Sequence, residues 1–362
     1  MYEEKELSLF KKTVTVTIML VALALITTGC FGGTTRPLGW SGVTIDGDNL
    51  YFVTREGTLF ALNSQNGIPV WQNSLEGAQG AYGSPLVVDD TIYVVGYSGK
   101  VYALNTAGTL KWTYPFDNKL PSAVATGLAY HDGLIIYGSD DGNLYAHDAG
   151  TGARNWEFST GAKIWATPVV ADGVIYFGSF DKHFYAVEAE TGQQLWSFKA
   201  DGVFTAPAVV EGDTVIIGSL DRNLYAIDRN TGKERWSLSG DRWFWTSVVV
   251  SEGTVFAPNT DSTLYAVNLA SGSLEANYEF TAPLSAAPVL INGKLVIAAQ
   301  DGTVSLLDIG SGQITRITDL GTTVRAPLAV SGDVVFVHSQ TNETIYALNT
   351  ATGSQIWFYD VQ

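Results

Sequence analysis

One short phrase governs what this chain can fold into. It reads LYAIDRNTGKERW at Leu224–Trp236, FYAVEAETGQQLW forty residues earlier and IYALNTATGSQIW near the C-terminus. Its aromatic residue falls at Phe60, Tyr102, Tyr145, Tyr185, Tyr225, Tyr265 and Tyr346, with Ser305 in the remaining place, a mean period of about 41 residues. A period of that length, holding several short strands, belongs to propeller blades. Eight copies occupy residues 38–362 and leave no length for a second domain. The expectation is an all-β, eight-bladed β-propeller of four-stranded antiparallel blades.

Blade five shows how one unit is built. APAVVEG (206–212) and TVIIGS (214–219) are near-continuous apolar runs, as strands covered on both faces require. They should be the first and second strands. NLYAID is the third and KERWSL the outermost, with turns at LDRN and RNTG. The Gly of each TG pair suits a left-handed backbone. The Asp or Asn ahead of it (Asp148, Asp228, Asn268, Asp308, Asn349) suits hydrogen bonding to the turn's own backbone.

Trp71, Trp112, Trp156, Trp196, Trp236 and Trp357 share one position in the outer strand. Each is expected to bury its ring between neighbouring blades and to place its indole N–H on a carbonyl. Blades six and seven carry Ala276 and Arg316 there, so their outer strands should be the weakest. Two readings stay open: drift offset by Tyr278 and Phe280, or a functional opening at the edge between blades six and seven.

The pattern A-x-D-x-x-T-G-x-x-x-W, present as AIDRNTGKERW and AHDAGTGARNW, resembles the tryptophan-docking repeat of the quinoprotein-type, PQQ-like propellers. That resemblance covers all eight blades and implies the architecture. The family includes pyrroloquinoline quinone (PQQ) dehydrogenases and BamB-type outer-membrane assembly lipoproteins. The dehydrogenases imply an adjacent cysteine pair, a calcium site with Glu, Asn and Asp ligands, and a catalytic Asp. This chain has a single cysteine and none of the long insertions that build such sites. No catalytic residue is carried over, and no cofactor is expected. In size, blade number and N-terminus the chain is closest in organisation to the BamB type.

The N-terminus reads as a separate object. Lys11 and Lys12 precede an uncharged apolar run that ends in ITTGC, which resembles a lipobox with Cys30 as the lipidated residue. The division expected is a lipoprotein signal peptide at 1–29, a tether at 30–37 and the propeller at 38–362. An uncleaved anchor helix and an ordinary secretory signal remain alternatives, and all three place the body outside the cytoplasm. Cleavage removes three Lys and three Glu and leaves the formal charge at −16. Without a second cysteine, stability must come from packing rather than disulfides.

A charge of −16 with no basic stripe argues against nucleic acid as a partner. His131, His147, His183 and His338 show no metal-ligand spacing, and Asp140–Asp141 reads as hairpin-turn chemistry. No nucleophile elbow or phosphate loop is present. Binding is better sought at the channel mouth, where the loop into each inner strand meets the turn between strands two and three. Aligned on the inner-strand Pro, a column holds Trp40, Tyr82, Trp165, Phe204 and Phe244, with Ser285, Val324 and Val124 elsewhere. Trp243 and Trp245 flank Phe244, and Lys163, Arg242 and Arg325 add cations. Three consecutive aromatics cannot all point to one side of an extended strand. These rings either form a binding rim or plug the channel and pack between inner strands.

The function expected is that of a monomeric, membrane-anchored extracytoplasmic lipoprotein that is non-catalytic and scaffolds a protein or peptide partner in the cell envelope. A PQQ-dependent dehydrogenase-like role and a carbohydrate-binding or sensor role are the alternatives.

Overall fold

The computed structural model describes residues 41–115 and 122–361. The segments expected to be signal peptide and tether, with Cys30 and Trp40, lie outside the described residues. The described chain forms eight separate four-stranded antiparallel sheets, at 44–74, 86–114, 129–159, 169–199, 209–239, 249–279, 289–319 and 329–360. In each, the strands pair in chain order, so every blade is a meander from channel to rim. The eight-bladed propeller is as expected.

The inner strands are shorter than the apolar runs suggested. In blade five the first strand is Val209–Glu211, paired to Thr214–Ile216. Ala206–Ala208 instead belong to the loop over the channel mouth, because a strand at the crowded axis has room to pair over three residues. The second, third and fourth strands, Thr214–Gly218, Asn223–Asp228 and Glu234–Ser239, agree with the reading to within a residue or two.

The core lies between blades rather than within them. Leu224, Ala226 and Trp236 of blade five pack with Val255, Ala257, Tyr265 and Val267 of blade six. Each of the six tryptophans donates its indole N–H to a carbonyl of the next blade: Trp71 to Thr106 at 3.0 Å, Trp112 to Ala149 at 3.1 Å, Trp156 to Ala189 at 3.1 Å, Trp196 to Arg229 at 2.8 Å, Trp236 to Leu269 at 2.8 Å and Trp357 to Ser64 at 3.1 Å. The ring then lies flat on that blade's turn glycine. A methyl group added at Gly272 would sit 2.6 Å from the Trp236 ring, and Gly272 has φ +72°. The glycine therefore has two duties. It takes the left-handed turn, and it leaves bare backbone for an indole to cover. The turn itself is held as expected, with the Asp228 carboxylate accepting from the Thr231 amide at 3.0 Å.

Among the described residues the ring closes without strand exchange. Trp357, Phe336 and Ile345 of the last blade pack with Leu50, Phe52 and Phe60 of the first. Arg55 pairs with Glu343 at 3.3 Å, and the buried His338 Nδ1–H donates to the Ser41 carbonyl at 2.6 Å.

Blades six and seven depart from the rule in different ways. Ala276 keeps the tryptophan's register opposite Ala266, and Tyr278 reaches across to Gly312 in its stead. In blade seven the bulge falls two residues earlier, between Val304 and Ser305, so Arg316 faces Ser305. Of the two readings of the edge between blades six and seven, the geometry matches the one in which Tyr278 offsets the lost indole, and not an opening. A cleft of about 310 Å³ lies one seam further on, lined by Thr315, Arg316, Thr350, Thr352 and Gly353, because a tryptophan docks forward onto the following blade.

Two outcomes follow. Trp236→Ala should lose about 3–5 kcal/mol in denaturant unfolding, as large aromatic deletions do. Gly272→Ala should be destabilising on the same seam although it removes nothing. Burial, together with Coulomb repulsion from Arg55, lowers the His338 imidazole pKa from its ordinary 6.5 against the raising effects of Ser41 and Glu343. The unfolded chain therefore binds the extra proton first as pH falls below about 6.5, and folding stability declines from there down to the folded value. Melting scans at pH 7.5 and 5 should show a smaller loss on acidification for His338→Gln than for the parent.

Candidate binding site at the channel mouth

Two sets of loops surround the channel mouth, and backbone hydrogen bonds lock them together. In blades two to eight, a residue of the turn between strands two and three donates its amide to the loop ahead of that blade's inner strand. Examples are Phe180 to the Lys163 carbonyl at 2.9 Å, Leu220 to Val203 at 3.0 Å, Thr260 to Trp243 at 3.0 Å and Gln300 to Pro283 at 2.9 Å. The loops into the inner strands run extended, so their side chains alternate in and out.

That alternation corrects the column read from the sequence. Val124, Ile164, Phe204, Phe244, Leu284 and Val324 form the inward register; Phe204 is 0% exposed and Phe244 1%. Both are core residues and leave the candidate face. The residues that follow them point to the mouth: Ala125, Trp165, Thr205, Trp245, Ser285 and Arg325, joined by Tyr82. Proline was a poor ruler. It lies one residue before the inner strand in blades two, four and seven, but two before it in blades five and eight. Trp243 is 47% exposed, so of the three consecutive aromatics only the middle one is buried.

Large and small residues alternate around the mouth, and the small ones leave cavities. Tyr82, Trp165 and Trp245 come from blades two, four and six, while Ala125, Thr205 and Ser285 come from blades three, five and seven. A cavity of about 210 Å³ is lined by Tyr82, Tyr97, Ala125, Trp165, Thr205 and Trp245. Tyr82 and Tyr97 lie 5.4 Å apart, and Trp165 meets Phe180 edge-on at 4.7 Å. Asp140 is more than a turn residue: its carboxylate accepts from the Trp165 indole at 2.7 Å and from the Lys163 ammonium at 2.7 Å. It orients the ring and pairs with Lys163. Asp141 does serve the turn, accepting from the Asn143 amide and the Tyr145 hydroxyl.

The second cavity, of about 390 Å³, opens where Ser285 stands between Trp245 and Arg325. Arg222, Arg242, Trp243, Thr260, Pro283 and Gln300 complete it. The Gln300 amide, with its oxygen turned toward the guanidinium, accepts from Arg325 Nε at 2.9 Å and Nη2 at 2.5 Å. Arg222 sits at φ +77°, in a turn position that is Gly142 in blade three and Gly302 in blade seven. Among the described residues, no carboxylate lies within ion-pair distance of Arg222, Arg242 or Arg325. The sequence reading missed Arg222, Gln300 and Asp140. It searched only the loops before the inner strands, although the turns between strands two and three line the same mouth.

The histidines do not meet. His147 is buried between the Tyr137 hydroxyl and the Gly152 carbonyl, and His338 sits at the closing seam. Among the described residues, no three His, Cys, Asp or Glu side chains are placed to hold a metal ion.

A family model described as outer membrane protein assembly factor BamB matches residues 32–124, 117–242, 185–275 and 246–359. The chain belongs to this BamB-type family. BamB of Yersinia pestis is 30% identical over 120 residues, 32% of this chain and 30% of that protein. A 1-butanol dehydrogenase (cytochrome c) of Thauera butanivorans is 39% identical over 101 residues, 25% of this chain and 14% of that enzyme. The matches thus span less than a third of either relative. The crystal structure of BamB from Moraxella catarrhalis superposes with a TM-score of 0.68 over 83% of this chain and 93% of that one, at 19% identity, a likeness of fold. Over part of its length the chain is thus similar both to an assembly factor and to a dehydrogenase. The larger cavity does not fit the calcium-assisted quinone site that the resemblance implies. The larger cavity is lined by cations and contains no carboxylate to ligate calcium or act as base.

Phe244→Ala should lower stability by about 3–5 kcal/mol, whereas Trp243→Ala should stay within about 0.5 kcal/mol of the parent in chemical denaturation.

Proposed function

We propose that this BamB-type propeller is a non-catalytic interaction platform of the cell envelope, tethered through a lipidated Cys30, that takes a protein segment at its channel mouth. The observation that carries this reading is the mouth itself. Tyr82, Trp165, Trp243 and Trp245 present aromatic surface around two cavities of peptide-side-chain size. Rigid aromatics of this kind anchor partners at low entropic cost. A ring of eight blades holds them in fixed positions, and the larger cavity contains neither a carboxylate nor a histidine to run acid–base chemistry. The BamB relative is named for an assembly role among proteins, which favours a protein partner.

A quinone-dependent dehydrogenase is the second reading, favoured by the dehydrogenase relative. It requires a visible chromophore and turnover after incubation with quinone and calcium, and a featureless spectrum would remove it.

The platform reading is tested by photo-crosslinking in intact cells. A crosslinker at position 243 should give a discrete protein adduct. One at position 68, an exposed isoleucine in a turn on the opposite face, should not. Trp165→Ala should abolish the adduct at 243 without lowering the melting temperature. Equal labelling at both positions, or none at 243, would refute the reading.

A further inference from the structure

The two cavities are not equivalent, and their difference names the chemistry of what lies across them. Both use Trp245 as a wall, so a ligand can pass from one to the other along its ring. On the side of blades two to five the cavity is lined by aromatic and small side chains with no cation among them, and Lys163 close by is paired with Asp140. The Thr205 hydroxyl there is buried without a hydrogen-bond partner. On the side of blades five to eight stand Arg222, Arg242 and Arg325, three guanidinium groups in a cavity lined by no carboxylate, and none of them within ion-pair distance of one among the described residues. They meet in a chain whose formal charge is −16, where a cation is more easily paired than left alone.

We propose that the larger cavity is a carboxylate receptor, and that the occupant is an acidic–apolar segment of the protein partner. Its carboxylates lie on Arg222, Arg242 and Arg325, and its apolar side chain lies between Trp165 and Trp245. This rests on the interaction-platform reading and gives it a ligand chemistry and a direction. Guanidinium forks match planar carboxylates, and the match is strongest when one fork is already held, as Gln300 holds Arg325. A bare inorganic anion would satisfy the charges but leave the walls of Trp243, Trp245 and Pro283 in water. A segment with both kinds of side chain covers both. The placement of charge at one end only means that the segment binds in one orientation, because the reversed one would put carboxylates on the Asp140 side.

The test uses the full chain in detergent micelles and intrinsic tryptophan fluorescence. Three probes are compared at fixed ionic strength: the capped peptide acetyl-Asp-Glu-Gly-Phe-Leu-amide, the same peptide with Asn and Gln in place of the acids, and inorganic phosphate. The acidic peptide should bind at least about tenfold more tightly than its amide twin, the discrimination expected of a charge-assisted contact. Arg222→Gln combined with Arg325→Gln should erase that preference while leaving the weaker binding of the amide peptide unchanged. Arg242→Gln, at an exposed position, gives a second variant should the double one fold poorly, and it should reduce the preference in part. Equal affinity for the two peptides overturns the proposal, as does retention of the preference in the variants. Phosphate that displaces the acidic peptide at equal concentration overturns it in favour of a small-anion site. The two readings fail separately. If arginine variants keep the in-cell adduct at position 243, the platform stands and the carboxylate receptor falls. If that adduct never forms, the platform falls whatever the peptides do.

Discussion

The propeller depends on an indole lying flat on a glycine of the next blade. Each blade alone is a small meander with two apolar faces, and neither can be buried without a neighbour. Docking solves this seam by seam. The ring covers bare backbone, its N–H satisfies a turn carbonyl, and the glycine's missing side chain is what lets the two approach. Because the same contact recurs from Trp357 back to Ser64, the last blade holds the first as the others hold one another. No exchanged strand is needed for closure. Stability is thereby distributed around a circle rather than gathered in one centre.

The exceptions follow from the same geometry. Where the indole is lost at Ala276, a tyrosine two residues along the strand reaches the waiting glycine. Where Arg316 replaces it, the bulge moves and the seam beyond stays open as a polar cleft. A docking residue belongs to one blade but its absence is felt on the following one, so a defect must be sought one seam downstream.

A rigid ring also explains how the channel mouth can present so specific a surface from loops. In blades two to eight the loop is fixed by an amide–carbonyl bond to its own blade's turn, and extended backbone then sends alternate side chains inward and outward. Of the residues that sequence reasoning grouped at the mouth, Tyr82, Trp165, Trp243, Trp245, Arg242 and Arg325 line its cavities. Phe204 and Phe244 were misplaced by a single position, which in an extended strand is the difference between the core and the surface. Arg222 and Gln300 escaped because they stand far in sequence from the residues they join. Arg325 and Gln300 belong to different blades, and nothing in their local sequence says that their side chains meet.

What the sequence by itself determined is the architecture. A forty-residue period, a turn glycine and an outer-strand tryptophan are local, repeated signals, and repetition makes each one legible eight times over. It also determined that no disulfide joins the blades, since a single cysteine has no partner. What only the tertiary structure decided is the site. Closing the ring brings blades five to eight around one cavity, turns one side chain in each pair toward solvent, and gathers three unpaired arginines that lie up to about a hundred residues apart. Periodicity records which residues do the same job in successive blades. Convergence of residues doing different jobs is a property of the closed circle, and it leaves no periodic trace.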